Sequence, residues 1–533
     1  MNIPRWLYTL LLVLGLLCAV GVLGTGAVLA VRLSMLPRPA QQSEQPTDSA
    51  ADAQTAGGTA AAGGTAPAPV ETDPRLRYVP EPFEPGTEPR VVASGTDQEM
   101  EQPAPAVRPP VDQPPAYQPS LPALLPPPRN LTAIERASGS FFGPTLPDPL
   151  ARPQMVEIVV PEIPGADAIW GATGRDARGR IWYGVTCNGD PPSAHLMEMD
   201  PITCQSVDRG DVVSQLKRLG LAKPDDRQSK IHSKIVQAED GHLYFSSMDE
   251  TGELAIEGRP PTFGSHLWRL RLADYQWEHL AAVPEGLIAV GTAGRFVYAL
   301  GYYGHVLHQY DTASGQMRQV RVGSTEGHVS RNFLVDARGH AYVPRLVAAK
   351  ISPSAGAPKW QATLVEYDMQ LNELGETPLE HYLDPKLHPD QSHGIVGWSL
   401  LADGSLAFVT HVGHLYRVMP PKGEGRAEVQ PQGWFHPAGP CYTASLFSYD
   451  GQRWLLSAGR RGEGNYEWLA RDLVSGQTLA RDLTIVDLFQ PPRRDVLLYG
   501  SATRDFQGRF YLGGRYVWRD GGSRPMLMRI EPP

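Results

Sequence analysis

QSKIHSKIVQAEDGHLYFSS, residues 228–247, decides how the rest of the chain is read. An apolar run leads into Asp240-Gly241 and then into a second run rich in aromatic residues, the pattern of two strands joined by a tight turn. The same pattern returns along the chain. GATGRDARGRIWYGV, AVGTAGRFVYALG, NFLVDARGHAYV, WSLLADGSLAFVT, SLFSYDGQRWLLS and SATRDFQGRFYLGG bring the copies to seven. Their turn glycines are Gly179, Gly241, Gly294, Gly339, Gly404, Gly451 and Gly508. They lie about 55 residues apart on average, near the repeat length of kelch-like propeller blades. Third and fourth runs follow several copies, as in HLWRLRLADYQWEHL and VLHQYDTASGQMRQV. Four strands in each of seven repeats predict an all-β, seven-bladed β-propeller over residues 151–533. A two-sheet sandwich is the competing fold, and it does not explain seven repeats in phase. The last copy ends at PMLMRIEPP with little room for a fourth strand, so QMVEIVVPE (154–162) is expected to supply it and close the ring.

The preceding residues read differently. From Trp6 to Val31 no side chain is charged, and that stretch spans roughly 39 Å as a helix, enough to cross a bilayer. Residues 1–36 are therefore expected to be a membrane anchor, with a cleaved signal segment as the alternative because Val28-Leu29-Ala30 offers a small-residue cleavage site. Residues 37–150, rich in Ala, Gly and Pro, hold too few large apolar side chains to offset chain entropy and read as a disordered linker. A propeller tethered in this way is expected outside the cytoplasm, in the periplasm or at the cell surface. Of the four cysteines, Cys187 and Cys204 flank one short segment, where a disulfide and two free thiols are equally compatible with the spacing. No Cys/His pattern with zinc spacing occurs.

A net charge of −9 argues against a nucleic-acid partner. One predicted face departs from that acidic balance. In a propeller the residues before the first strand and after the second strand of each blade share a face near the axis. The start positions are His232, His328, His393 and Tyr442, and Arg331 follows His328 closely. The second-strand ends include Tyr303, His305, Arg345, His411, Arg460 and Arg515. A funnel lined with one sign of charge attracts ligands of the other, and guanidinium groups grip carboxylates in bidentate fashion. This face is expected to bind an anionic saccharide, with His328, His305, Arg345, His411, Tyr442, Arg460 and Arg515 as binding residues. No GxSxG elbow and no GxxxxGK[ST] loop is present, so a serine hydrolase of that type and a phosphate loop are not indicated.

The phrases KIHSKIVQAEDGHLYF, GSHLWRL, YYGHVLHQYDTASGQ and HVSRNFLVDARGHAYV, over roughly residues 228–345, resemble the bacterial β-propeller polysaccharide lyases that act on uronate-containing polymers, together with related secreted propellers. The resemblance implies cleavage by β-elimination. His232 matches the early catalytic histidine, Tyr303 a base or acid, and Arg331 the arginine that neutralises the uronate carboxylate, with His393 completing the catalytic set. Some relatives hold a divalent metal in a His/Gln cluster, and His388, Gln391 and His393 offer similar ligand types. One departure is plain: the family pattern has a second histidine about twenty residues after the first, and Gly252 stands there. A non-catalytic propeller that presents one face to a protein partner is the alternative. A six-bladed, lactonase-like calcium hydrolase is disfavoured by seven repeats.

Overall fold

The computed structural model describes residue 150 and residues 153–531, except 255–258, 303–304, 326, 329, 350–358, 462–465, 484–492 and 519–520. The predicted anchor, and all of the predicted linker but Leu150, lie outside the described residues, as does Tyr303. No helix among the described residues is long and apolar enough to cross a membrane.

The repeats fold as seven antiparallel sheets, one per copy. Blade 2 is typical of them. Val236–Gln237 lies innermost, Leu243–Met248 is fully buried, Ser265–Leu270 follows, and Trp277–Val283 forms the outer edge. Blade 7 is built from both ends of the described chain. Arg493–Arg504, Phe510–Trp518 and Ser523–Glu531 are joined by Gln154–Ile158, which pairs antiparallel with the last strand from Gln154↔Glu531 to Ile158↔Leu527. The expected closing strand is thus in place. This pairing ties the chain ahead of blade 1 to the last blade and completes its fourth strand.

Two local devices explain why these sequences make blades. All seven turn glycines have positive φ, from +54° to +90°, a region that L side chains rarely enter. In the copies with an Asp-x-x-Gly turn, the aspartate then clamps the hairpin. One carboxylate oxygen of Asp505 accepts from the N–H groups of Gln507 and Arg509 at 2.9 and 3.0 Å, and the other accepts from the Tyr511 hydroxyl at 2.8 Å. Asp336 does the same for Arg338, His340 and Tyr342, and Asp176 for Arg178, Arg180 and the Trp182 indole. Aspartate and aromatic stand six residues apart in all three, so both the turn and the second strand are locked by one buried carboxylate.

Between the blades the second strands carry the apolar load. Trp182, Tyr183, Tyr244, Tyr298, Tyr342 and Tyr511 are fully buried, and each such ring contributes on the order of 2 kcal/mol of apolar burial. Towards the axis the blades converge until only backbone fits. At Gly171, with φ +87°, a Cβ would lie 2.0 Å from the Gly500 carbonyl oxygen, so glycine is required where blade 1 meets blade 7. Cys187, Cys204 and Cys441 are free thiols, which settles the open question of a Cys187–Cys204 disulfide.

Candidate functional site

A narrow cleft, enclosing about 450 Å³ when its open mouth is included, lies on the propeller axis. Every blade contributes to its wall. Trp170 and Gly171 come from blade 1, His232 and Lys234 from blade 2, and Ile288 and Ala289 from blade 3. Arg331 and Asn332 precede the inner strand of blade 4, while His393 and Val396 belong to blade 5. Tyr442 opens blade 6, and Tyr499 and Gly500 lie in blade 7.

The rings are arranged face to face and edge to face. His393 and His411 stack with centroids 4.6 Å apart and planes 5° from parallel, and Tyr442 presents an edge to both, at 6.4 and 6.0 Å. Across the cleft Trp170 stacks on His232 at 6.3 Å and tilts against Tyr499 at 4.4 Å. The Trp170 indole N–H is buried without a hydrogen-bond partner. The His411 ring is fixed by its neighbour's backbone, since its Nδ1 accepts from the His393 N–H at 3.2 Å and so its proton sits on Nε2. The Arg331 N–H donates to the His393 carbonyl at 2.9 Å, tying the approaches of blades 4 and 5 together.

Burial, with the nearby charge of Arg331, holds His232 and His393 well below the ordinary histidine range, and lowers His411 to about 4. All three are therefore neutral at pH 7. Burial also pushes the Tyr442 hydroxyl up to about 12. It draws the Lys234 ammonium down from 10.5 to about 7. Lys234 lies over the Trp398 ring at 4.4 Å. Neither Lys234 nor Arg331 has an ion pair with a carboxylate among the described residues, and no acidic side chain lines the cleft. Just outside, the cations are paired: Lys230 with Glu250, and Arg515 with Asp167 at 3.5 Å. Lys230 and Arg515 each lie 5.0 Å from the Trp170 ring centroid.

The structure thus brings together His232, Arg331, His393, His411 and Tyr442, with Arg515 one layer out. It sets the others apart. His328 has both ring nitrogens occupied, one at 3.0 Å from the Pro389 carbonyl and the other at 2.9 Å from the Tyr382 hydroxyl. His305 is engaged likewise, by Ser324 Oγ at 2.7 Å and the Ser330 N–H at 3.3 Å. Arg345 is held by Glu373 and Glu376 of the outermost strand of its blade, and Arg460 by both carboxylate oxygens of Asp495 at 3.1 Å. His388 pairs with Asp390 at 2.6 Å, and among the described residues no three His, Cys, Asp or Glu side chains are placed to hold a metal ion. Gly252 has φ +80° with Thr262 Oγ1 2.3 Å from where a Cβ would stand, so this turn has no room for the histidine of the lyase pattern.

Trp170, Lys234, Asn332 and Tyr499 were absent from the residues expected from sequence. Lys234 follows His232 closely, and the bend at Ser233 between them leaves both in the cleft wall. Trp170 precedes the first repeat's Gly171 in the way that His232 precedes its own strand.

Fold and site define a seven-bladed β-propeller with a basic, ring-walled axial pocket. No protein-family model matches the chain, and no curated protein matches it. Among solved structures it is similar to the Cps50 (Swd1) β-propeller domain of Myceliophteria thermophila at 9% identity, over 71% of this chain and 100% of that one, with a TM-score of 0.43. It is also similar to a chain of the mitotic checkpoint complex at 8% identity, over 78% and 98%, with a TM-score of 0.41. A putative 6-phosphogluconolactonase from Bacteroides uniformis is similar at 13% identity, over 68% and 95%, with a TM-score of 0.37.

Proposed function

We propose that the axial pocket binds a uronate residue of an acidic saccharide. One observation carries the reading: Arg331 and Lys234 converge on a cleft with no acid in its wall. Lys234 is withdrawn from water without a carboxylate partner among the described residues, and Arg331 is countered only at a distance by Glu250. An incoming carboxylate would offset the cost of burying these charges. Arg331 would grip the carboxylate in bidentate fashion. The exposed rims of Trp170 and Tyr499 in the cleft wall would pack along the sugar ring. The β-propeller fold is consistent with a binding or scaffold role, and this reading assigns the binding to the axis.

The same pocket favours β-elimination as a second reading, because neutral imidazoles accompany Arg331 there. With the carboxylate neutralised, His232 or His393 would accept the proton next to it. The C–H electron pair would become the new C=C bond, and the glycosidic oxygen would leave with a proton from Tyr442. We further propose that residues 6–31 hold the propeller to a membrane through the linker, placing it outside the cytoplasm. The uncharged run of those residues supports this, and alkaline extraction of membranes, which releases a peripheral protein and retains an anchored one, tests it.

Calorimetry with galacturonate and glucuronate oligomers, against neutral oligomers of equal length, tests the binding. Selective binding lost in Arg331→Met is expected. Equal binding of charged and neutral sugars, or none of either, would overturn the reading. Ultraviolet absorbance of an unsaturated product, followed in the same mixtures, tests elimination.

A further inference from the structure

Lys234 stands two residues after His232, with the chain bending at Ser233 between them ahead of the inner strand of blade 2, and both line the axial cleft. The described lysine nearest in sequence, Lys230, is neutralised by Glu250. Lys234 is not paired in this way. Its amine meets the Trp398 ring, and the other charge in the cleft wall is the guanidinium of Arg331, of the same sign. An ammonium in that position is destabilised by burial, and the Trp398 ring face offsets only part of that cost. A lysine amine desolvated in this way keeps its lone pair at neutral pH and becomes a nucleophile.

We infer that Lys234 is a covalent capture site for oxo acids, forming a reversible imine with a carbonyl whose neighbouring carboxylate is held by Arg331. The inference rests on the proposed anion site through Arg331, and adds to it the chemistry of the amine. In the step itself the Lys234 Nζ lone pair attacks the carbonyl carbon, and the C=O π pair moves to oxygen. A proton passes from nitrogen to that oxygen. The carbinolamine hydroxyl then takes a second proton, and the nitrogen lone pair forms C=N as the C–O bond breaks. One water leaves, and the remaining N–H proton returns to the group that donated. The neutral imidazoles of His232 and His393 stand in the same cleft as proton carriers. No oxidant or reductant is consumed. The ligand class is an aldehyde or ketone bearing a carboxylate close by, such as a small oxo acid or the open-chain end of a uronate.

Glyoxylate, which combines an aldehyde with a carboxylate, is the probe. The full chain at pH 7 is incubated with glyoxylate and cyanoborohydride, which delivers hydride to the imine carbon and fixes the adduct as a secondary amine. Peptide mass mapping then compares the eight lysines of the sequence. Lys234 is expected to be modified at least tenfold faster than the exposed Lys217 and Lys386, with the fast phase missing in Lys234→Arg. Glycolaldehyde, the uncharged analogue, is expected to react more slowly at Lys234. Arg331→Met is expected to lower the glyoxylate rate by a larger factor than the glycolaldehyde rate. Modification of Lys234 no faster than of the exposed lysines would overturn the inference. Equal rapid labelling by both aldehydes, unaffected by Arg331→Met, would support the reactive amine while refuting the anion site. Uronate binding without labelling would overturn the amine chemistry and leave the anion site standing. The decisive rates come from the unmodified chain, so they do not depend on how well a variant folds.

Discussion

Lys234→Met is expected to make the protein more stable. The unfolded chain holds this amine protonated up to its ordinary 10.5, whereas the folded pocket brings it down to about 7. Each pH decade of that gap corresponds to about 1.4 kcal/mol, so the cost of burying the ammonium has a ceiling of about 4 kcal/mol at pH 7, where the folded amine is half protonated. The side chain keeps partial contact with water, and its cation–π contact with Trp398 returns about 0.5–1 kcal/mol. A net gain of about 2 kcal/mol is therefore expected from Met, which keeps the stem and loses the charge. The sign of the pH dependence is distinctive. Between pH 7 and about 10 the unfolded chain binds a proton that the folded chain does not, so wild-type stability rises with pH across that window relative to the variant. Below pH 7 the gap is widest, and near pH 10 it closes. Urea unfolding of both full chains at pH 6, 7, 8.5 and 10, followed by tryptophan fluorescence, measures it. A variant no more stable at pH 6, or a gap of equal size at pH 6 and pH 10, would refute the reasoning.

Other expectations follow from the same geometry. Arg331→Met should weaken uronate binding at least tenfold in calorimetry, with the remaining affinity less sensitive to salt. Uronate affinity should fall by up to tenfold per pH unit above about 7 as Lys234 releases its proton, and the profile should flatten in Lys234→Met; a pH-independent affinity in wild type would remove Lys234 from the site. His305 is lowered to about 3, and His328 and His411 to about 4, so stability present above pH 6.5 should be lost as pH falls from there towards 4. His328→Phe, which strands the Pro389 carbonyl and the Tyr382 hydroxyl, should cost about 1–3 kcal/mol at pH 7 and less at pH 4, as read by melting scans at the two pH values. Asp505→Ala should cost about 3 kcal/mol by urea unfolding, because it releases two backbone N–H groups and a buried tyrosine hydroxyl together.

The blades were legible because they depend on local chemistry. Turn glycines at positive φ, turn aspartates and alternating buried rings each leave a mark within fifteen residues, and seven repetitions reinforce it. The closing strand was legible from a deficit, since the last copy was one strand short. The site was only partly legible. Counting back from each turn assumes that every approach to an inner strand is straight. The count nevertheless succeeds for His232 and Tyr442, which reach the axis although the chain bends at Ser233 and Ala444. It fails at blade 4, where His328 closes a turn on Thr325 and is drawn towards Tyr382 while Arg331 takes the axial place. Arg345 and Arg460 occupy strand positions like those of other axial candidates, and what removes them is a carboxylate two strands away for Arg345 and in the next blade for Arg460. Such partners depend on cross-strand register, which no single repeat encodes.

The pairing of Gln154 with Glu531 has a consequence for how the protein can be rearranged. The two chain ends of the propeller are neighbours on one outer edge, so where the covalent ring is cut is arbitrary with respect to the hydrogen-bonded one. A circularly permuted chain, joined across those residues and opened at a loop between blades, would retain every ladder. Because each blade supplies its own share of the axial wall, such a chain would rebuild the pocket from the same side chains in a new order.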